Sequence, residues 1–271
     1  MSAAVARSSA AAIDAAKATG RAALIAYLPI GFPDVPTSIA AARAAVEGGA
    51  DVLELGMPYS DPLMDGPVIQ HAVDAALRGG TRTADVLRAV EELSAGGATA
   101  LVMTYWNLVD RYGVDAFAKD LAAAGGAGLI TPDLIPDEGA DWIAASDAHG
   151  LERVFLVAPS STPARLASTA AACRGWVYAA SLMGVTGVKS VSSGARGLVE
   201  RTRTAGAERV CVGLGVSTPA QAGEVAEYAD GVIVGSAFVR ALAEAPSPAV
   251  GIEAVRELAR ALSAACAGSP V

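Results

Sequence analysis

Eight short apolar runs recur along the chain, at residues 22–28, 52–56, 99–104, 127–131, 153–157, 175–180, 209–213 and 231–235. Each leads into a polar or glycine-containing loop, and most then into an alanine-rich stretch of helical period. The runs are mostly continuous rather than alternating, as strands read when both sheet faces are covered. Strands of that kind pair in parallel and need crossovers. The stretches 36–47, 68–77, 114–124, 138–149, 163–173, 197–205 and 219–228 supply helices for them, several opened by Ser, Thr, Asp or Pro. Eight such units close a barrel, and 271 residues is an ordinary length for one. The expected fold is therefore α/β, a single (β/α)8 TIM barrel over 1–271 with an extra N-terminal helix at 13–19 covering its bottom. A doubly wound open sheet is the alternative. A last helix is expected over 252–265, with 1–12 and 267–271 as loose ends.

Composition narrows the partners. A net charge of −8 and a pI near 4.8 argue against nucleic acid and anionic membranes. Cys173, Cys211 and Cys266 are scattered and odd in number, so neither a disulfide framework nor a zinc site is indicated. The N-terminus lacks the apolar core of a signal peptide, and longer apolar stretches are broken by Gly, Pro or charge. A cytoplasmic protein is expected.

One residue breaks the strand pattern. In Val52-Leu53-Glu54-Leu55-Gly56, Glu54 shares a face with Val52 and Gly56, while Leu53 and Leu55 share the other. In a barrel the leucines meet the helices and Glu54 points inward, near the strand end where barrel enzymes build their sites. Apolar surroundings raise the pKa of such an acid, which suits it to give and take a proton near neutral pH. A purely structural buried acid is the alternative. Asp65 lies in the following loop, stiffened by Pro58, Pro62 and Pro67. Two carboxylates facing one pocket could transfer protons, or hold Mg2+ with Asp61 as a third donor.

The last three runs end in glycine and hydroxyl residues. They lead into Ser181–Gly187, into Gly213-Leu214-Gly215-Val216-Ser217, and into Gly235-Ser236 at a helix start. Glycines admit an anion close to backbone N–H groups, and a helix N-terminus adds donors and a favourable dipole. A phosphate site after the last two barrel strands is a recurring arrangement. Tight turns with helix caps are the alternative.

The stretches LELGMPYSDPLMDGPVIQ, YAASLMGVTG, VGLGVSTPAQ and GVIVGSAFVR together resemble the tryptophan synthase α subunit family, in order and spacing over about residues 20–265. The resemblance implies a lyase of tryptophan biosynthesis. It would cleave indole-3-glycerol phosphate to indole and glyceraldehyde 3-phosphate by a retro-aldol reaction, without metal or organic cofactor. It makes Glu54 the acid/base, Asp65 the carboxylate that holds the indole N–H, and Tyr178 a positioning tyrosine. Phosphate binding carries over to Gly187, Gly213, Gly215, Gly235 and Ser236, with 184–194 as a lid. Indole contacts carry over to Tyr27, Met103, Tyr105 and Leu129. Pro29, Leu182 and Ile135 depart from residues common in the family, at positions that bear on lid and interface rather than on proton transfer.

The resemblance also implies an α2β2 complex in which indole passes to a PLP-dependent β subunit. Docking would use 58–63, 106–111 and 132–137. PLP would belong to the partner, since Lys17, Lys119 and Lys189 stand in no Schiff-base context here. Trp106, Leu108 and Val109 are unusually apolar for a barrel-mouth loop, as a contact surface would be. They could equally tuck against their own barrel. A stand-alone indole-releasing lyase and a catalytically silent regulatory partner are the competing readings. His71 and His149 read as helix-end or surface residues.

Overall fold

The computed structural model describes residues 7–180, 192–213 and 215–267. Its strands are β1 (Ala23–Pro29), β2 (Val52–Gly56), β3 (Ala100–Met103), β4 (Gly128–Ile130), β5 (Glu152–Val154), β6 (Leu156–Val157), β7 (Val177–Ala180), β8 (Val210–Gly213) and β9 (Gly231–Val234). All neighbours pair in parallel, in the order β5-β4-β3-β2-β1-β9-β8-β7-β6. The two ends of that order are separated in the chain by Phe155 alone, so the sheet closes into a barrel.

That closure splits the fifth apolar run. Its first half pairs with β4, Val154 opposite Ile130. Its second half pairs with β7, Leu156 opposite Tyr178. Tyr178 N–H donates to the Phe155 carbonyl at 3.1 Å and bridges the break. A single strand was expected at 153–157, and the need to serve two neighbours in turn divides it.

Alternation sorts the strand residues into two layers. Ile25, Val52, Leu101, Ile130, Val154, Tyr178, Cys211 and Ile233 pack together inside the barrel. Leu24, Leu28, Leu53, Leu55, Val102, Leu129, Val177, Val212 and Val232 pack outward in the layer shared with the helices.

The helices are α1 (Ser9–Ala18), α2 (Val35–Glu47), α3 (Pro67–Arg78), α4 (Thr83–Ala95), α5 (Trp106–Tyr112), α6 (Val114–Ala123), α7 (Ala140–His149), α8 (Pro163–Ala172), α9 (Ser192–Thr204), α10 (Pro219–Ala226), α11 (Ser236–Ala243) and α12 (Pro248–Cys266). Thr162, Thr218 and Ser247 each cap a helix whose first residue is proline. The hydroxyl satisfies an otherwise orphaned N–H, and proline has no N–H to orphan. The sequence reading did not include α4, although Val86, Ala89, Val90 and Leu93 are buried at helical spacing.

The N-terminal helix begins at Ser9, earlier than residue 13. Ser8 caps it by accepting from Ala11 N–H at 3.1 Å. Glu152, at the start of β5, accepts Ser8 Oγ at 2.7 Å, Ser9 N at 3.0 Å and Ala10 N at 3.2 Å, and also takes the Ser9 hydroxyl. A carboxylate at a helix N-terminus is favoured by the helix dipole and its free N–H groups. Residues 8–10, expected within a loose end, are thus tied to the barrel floor. Further along α1, Ile13 is fully buried, and Asp14 and Lys17 pair with Arg209 and Asp230 at 2.7 and 2.9 Å. Burying that isoleucine contributes about 2 kcal/mol.

Candidate active site

Glu54 sits on the inner face of β2, opposite Tyr27 of β1 and Leu101 of β3. Its side chain is 1% exposed. Among the described residues neither carboxyl oxygen has a hydrogen-bond partner. A buried carboxylate without donors is costly, so the group holds its proton. Burial, followed by the nearby Asp65 charge, pushes the Glu54 pKa up to about 8.

Asp65 occupies the loop between β2 and α3 and is less enclosed. Burial raises its pKa too, but a hydrogen bond from Tyr105 pulls it back. No such donor opposes the shift at Glu54. The two carboxyls thus differ in what holds their charge, which is how two acids in one pocket take separate roles. The third acid of the segment, Asp61, is exposed and accepts from Ser60 Oγ at 2.6 Å.

Tyr105, just beyond β3, organises the loop. Its hydroxyl accepts Leu63 N–H at 3.1 Å and Met64 N–H at 3.0 Å. Its ring lies 5.2 Å from that of Tyr59. Burial pushes its pKa to about 12, so it remains a neutral donor for Asp65.

Tyr27 and Tyr178 are the other phenols that feel Glu54 and Asp65. Burial first, then those charges, raise both well above the ordinary tyrosine value. Each hydroxyl occupies a notch left by a glycine. A Cβ on Gly56 would stand 2.4 Å from Tyr27 Oη, and one on Gly213 would stand 2.2 Å from Tyr178 Oη. A Cβ on Gly235 would meet the Tyr27 ring at 3.1 Å. The glycines therefore make room for rings as well as for an anion.

The candidate phosphate residues gather where β8 and β9 end. Gly213 closes β8, and Gly215 follows with φ +108°, a left-handed conformation that favours glycine. Gly235 precedes α11 and offers no capping side chain, and Ser236 opens that helix. Intrahelical bonds cannot satisfy the first-turn N–H groups of a helix, so this end is a donor cluster of the kind anions use. Gly187 and most of the expected lid, 184–194, lie outside the described residues, as does Leu182.

Met103 is partly buried and packs with both layers, at the mouth end of β3. Leu129 is a correction. It pairs with Val102 and Arg153 and packs in the outer layer, so it faces the helices rather than the pocket. The inward residue of that strand is Ile130, opposite Met103. The segment at 106–111, expected as a loop, is helix α5, and Val109 is fully buried against its own barrel while Trp106 and Leu108 are partly buried. The strongly exposed apolar residue of the mouth is Leu63 at 79%, and Ile135 is exposed as well.

Three residues that sequence reasoning missed extend inward from this pocket. Trp176, buried just before β7, stacks on Tyr178 with centroids 5.9 Å apart and donates from Nε1 to Ser9 Oγ at 3.0 Å. Ser9 in turn meets Glu152. Alternation could have put Trp176 and Tyr178 on one face, but Ser9 lies 167 residues away in sequence.

A separate open depression of about 520 Å³, lined by Tyr59, Asp61, His71 and Asp74 among others, lies against α3 and does not include Glu54.

The tryptophan synthase alpha chain family model matches residues 13–267. The alpha chain of Thermobifida fusca (strain YX) is 60% identical over 253 residues, covering 92% of this chain and 94% of that one. The alpha chain of Mycobacterium tuberculosis (strain ATCC 25618 / H37Rv) is 63% identical over 232 residues, covering 85% and 86%. A solved structure of M. tuberculosis tryptophan synthase in space group F222 superposes with a TM-score of 0.89 at 57% identity, covering 97% of this chain and 99% of that one. A barrel with an inward buried glutamate near a loop aspartate, matched at this identity over most of its length, belongs to the tryptophan synthase alpha chain family, the lyases that cleave indole-3-glycerol phosphate.

Proposed function

We propose that Glu54 and Asp65 divide the proton transfers of this cleavage. The chain is a carbon–carbon lyase of tryptophan biosynthesis. The C–C bond to indole cannot break while C3 is a flat aromatic carbon. Protonated Glu54 donates to C3, and the ring becomes an indolenine whose positive nitrogen can accept an electron pair. Asp65, ionised, holds the indole N–H and stabilises that charge. Glu54, now a carboxylate, takes the proton from the adjacent glycerol hydroxyl. The C–C electrons return to the ring, and indole and glyceraldehyde 3-phosphate part. The observation that carries this reading is a fully buried acid, pKa about 8, with both oxygens uncommitted and a second carboxyl nearby. Tyr178 and Tyr27 line the cleft beside it, Tyr105 fixes Asp65, and Met103 borders the indole. The phosphate binds at Gly213, Gly215 and the Gly235-Ser236 helix start, with Gly187 completing it.

Family membership implies a β partner. We assign an α2β2 assembly in the cytoplasm, with PLP held by the β chain and no organic cofactor in this one. Of the described lysines, Lys17 pairs with Asp230 at the barrel floor, and Lys119 is exposed on α6. Exposed Leu63 and Ile135 supply apolar surface for docking. Among the described residues no helix is long and apolar enough to cross a membrane.

The test is release of indole from indole-3-glycerol phosphate by the purified chain, alone and with a matched β chain. Glu54→Gln and Asp65→Asn are each expected to lower turnover about a thousandfold. Folding and β binding should be retained. Substantial activity in either variant would overturn its assigned role.

A further inference from the structure

We propose that Ser9 and Trp176 are positioning residues for the cleavage, acting through Tyr178 to set the phenol beside Glu54. The proposal deepens the reading of the site above and depends on it. A continuous set of contacts runs up the barrel axis. Glu152, at the floor, holds the Ser9 backbone N–H at 3.0 Å and its hydroxyl as well. Ser9 Oγ accepts the Trp176 indole N–H at 3.0 Å. The Trp176 ring stacks on Tyr178 at 5.9 Å with 29° between the planes. Tyr178 ends in the Gly213 notch.

Every member of this column is buried: Ser9 0%, Trp176 1%, Tyr178 3% and Glu152 7% exposed. Side chains so enclosed cannot move independently. A serine hydroxyl that both donates to Glu152 and accepts from Trp176 fixes the indole in its plane. The indole plane fixes the phenol stacked on it. Tyr178 is confined from below by Trp176 and from above by Gly213, so a small tilt of the tryptophan is passed to the hydroxyl. The N-terminal helix does more here than plug the barrel. It carries the lowest support of the active-site tyrosine.

The experiment uses the full-length chain and indole release from indole-3-glycerol phosphate. Ser9→Ala removes the hydroxyl but leaves Glu152 its bonds to Ser8 and to the Ser9 and Ala10 backbone, so the fold should persist. Loss of positioning should lower kcat about tenfold, with KM within about twofold of wild type. Ser9→Thr, which keeps a hydroxyl, should restore most of kcat. Trp176→Phe, which keeps a ring but loses the N–H, should match Ser9→Ala. In a Tyr178→Phe background, Ser9→Ala should have no further effect on kcat, because the group it positions is gone. Unchanged kcat in Ser9→Ala would overturn the proposal, as would an undiminished effect in the Tyr178→Phe background. A wild-type chain that releases no indole would instead overturn the reaction assignment.

Discussion

The hydroxyl of Tyr178 rests over Gly213, where a Cβ would stand only 2.2 Å away. Gly213→Ala is therefore expected to drive the phenol out of its place. Overpacking of a buried site costs about 1–3 kcal/mol. The barrel should survive while indole release falls at least tenfold. Thermal unfolding and steady-state turnover of the same preparation check both halves of this expectation.

The state of Glu54 sets a pH dependence. Its folded pKa of about 8 lies above its ordinary 4.5. The free enzyme carries the proton needed at C3 below about pH 8 and loses it above. Log kcat/KM should therefore bend downward through that region, and a profile flat to pH 10 would contradict the assignment.

The same shift governs stability. Below pH 4.5 both folded and unfolded chains hold the proton. As pH rises from 4.5 to 8, the unfolded chain releases it and the folded chain does not, so stability falls. The loss reaches on the order of 5 kcal/mol and levels off above pH 8. Glu54→Gln removes this slope. Denaturant titrations across pH 5–9 should show the variant gaining on wild type with rising pH.

Tyr105→Phe tests the loop. The hydroxyl accepts two backbone N–H groups, from Leu63 and Met64, and donates to Asp65. Its removal should loosen the segment that carries Asp65 and lower kcat by about 10–100-fold. It also removes a bond that steadies the ionised form of Asp65, whose pKa should rise. A carbon NMR titration of the Asp65 carboxyl would report the direction.

Gly235→Val places a branched side chain where a single Cβ already meets the Tyr27 ring at 3.1 Å. The helix start at Ser236 would be crowded and the phosphate held away from it. KM should rise well over tenfold, with a smaller change in kcat, and an unchanged KM would remove Gly235 from the phosphate site.

Strand parity made Glu54 legible, because one carboxylate among leucines can face only the barrel interior. Thr-Pro pairs marked two helix starts just as plainly, at Pro163 and Pro219, whereas the last helix, expected from residue 252, already opens at Ser247-Pro248. Leu129 was misassigned because the resemblance suggested a pocket residue while the register turns that side chain outward, opposite Val102. The break at Phe155 was hidden in an unbroken apolar run, since no local signal states that the run must serve two neighbours. Ser9 was unreadable for a similar reason. An alanine-rich end looks loose until its anchor, Glu152, comes into contact from 143 residues away.

The barrel is less a pipe than a bracelet, and its clasp is Phe155. Three residue pairs join β4 to β5 on one side, and two join β6 to β7 on the other. Tyr178 belongs to that second, shorter joint, paired with Leu156 and bonded to the Phe155 carbonyl. Mild denaturant that parts this joint, which with β8–β9 has the fewest paired residues, displaces the phenol next to the acid. Turnover would be lost at lower denaturant than helical structure, a separation that activity and circular dichroism curves measured side by side would display.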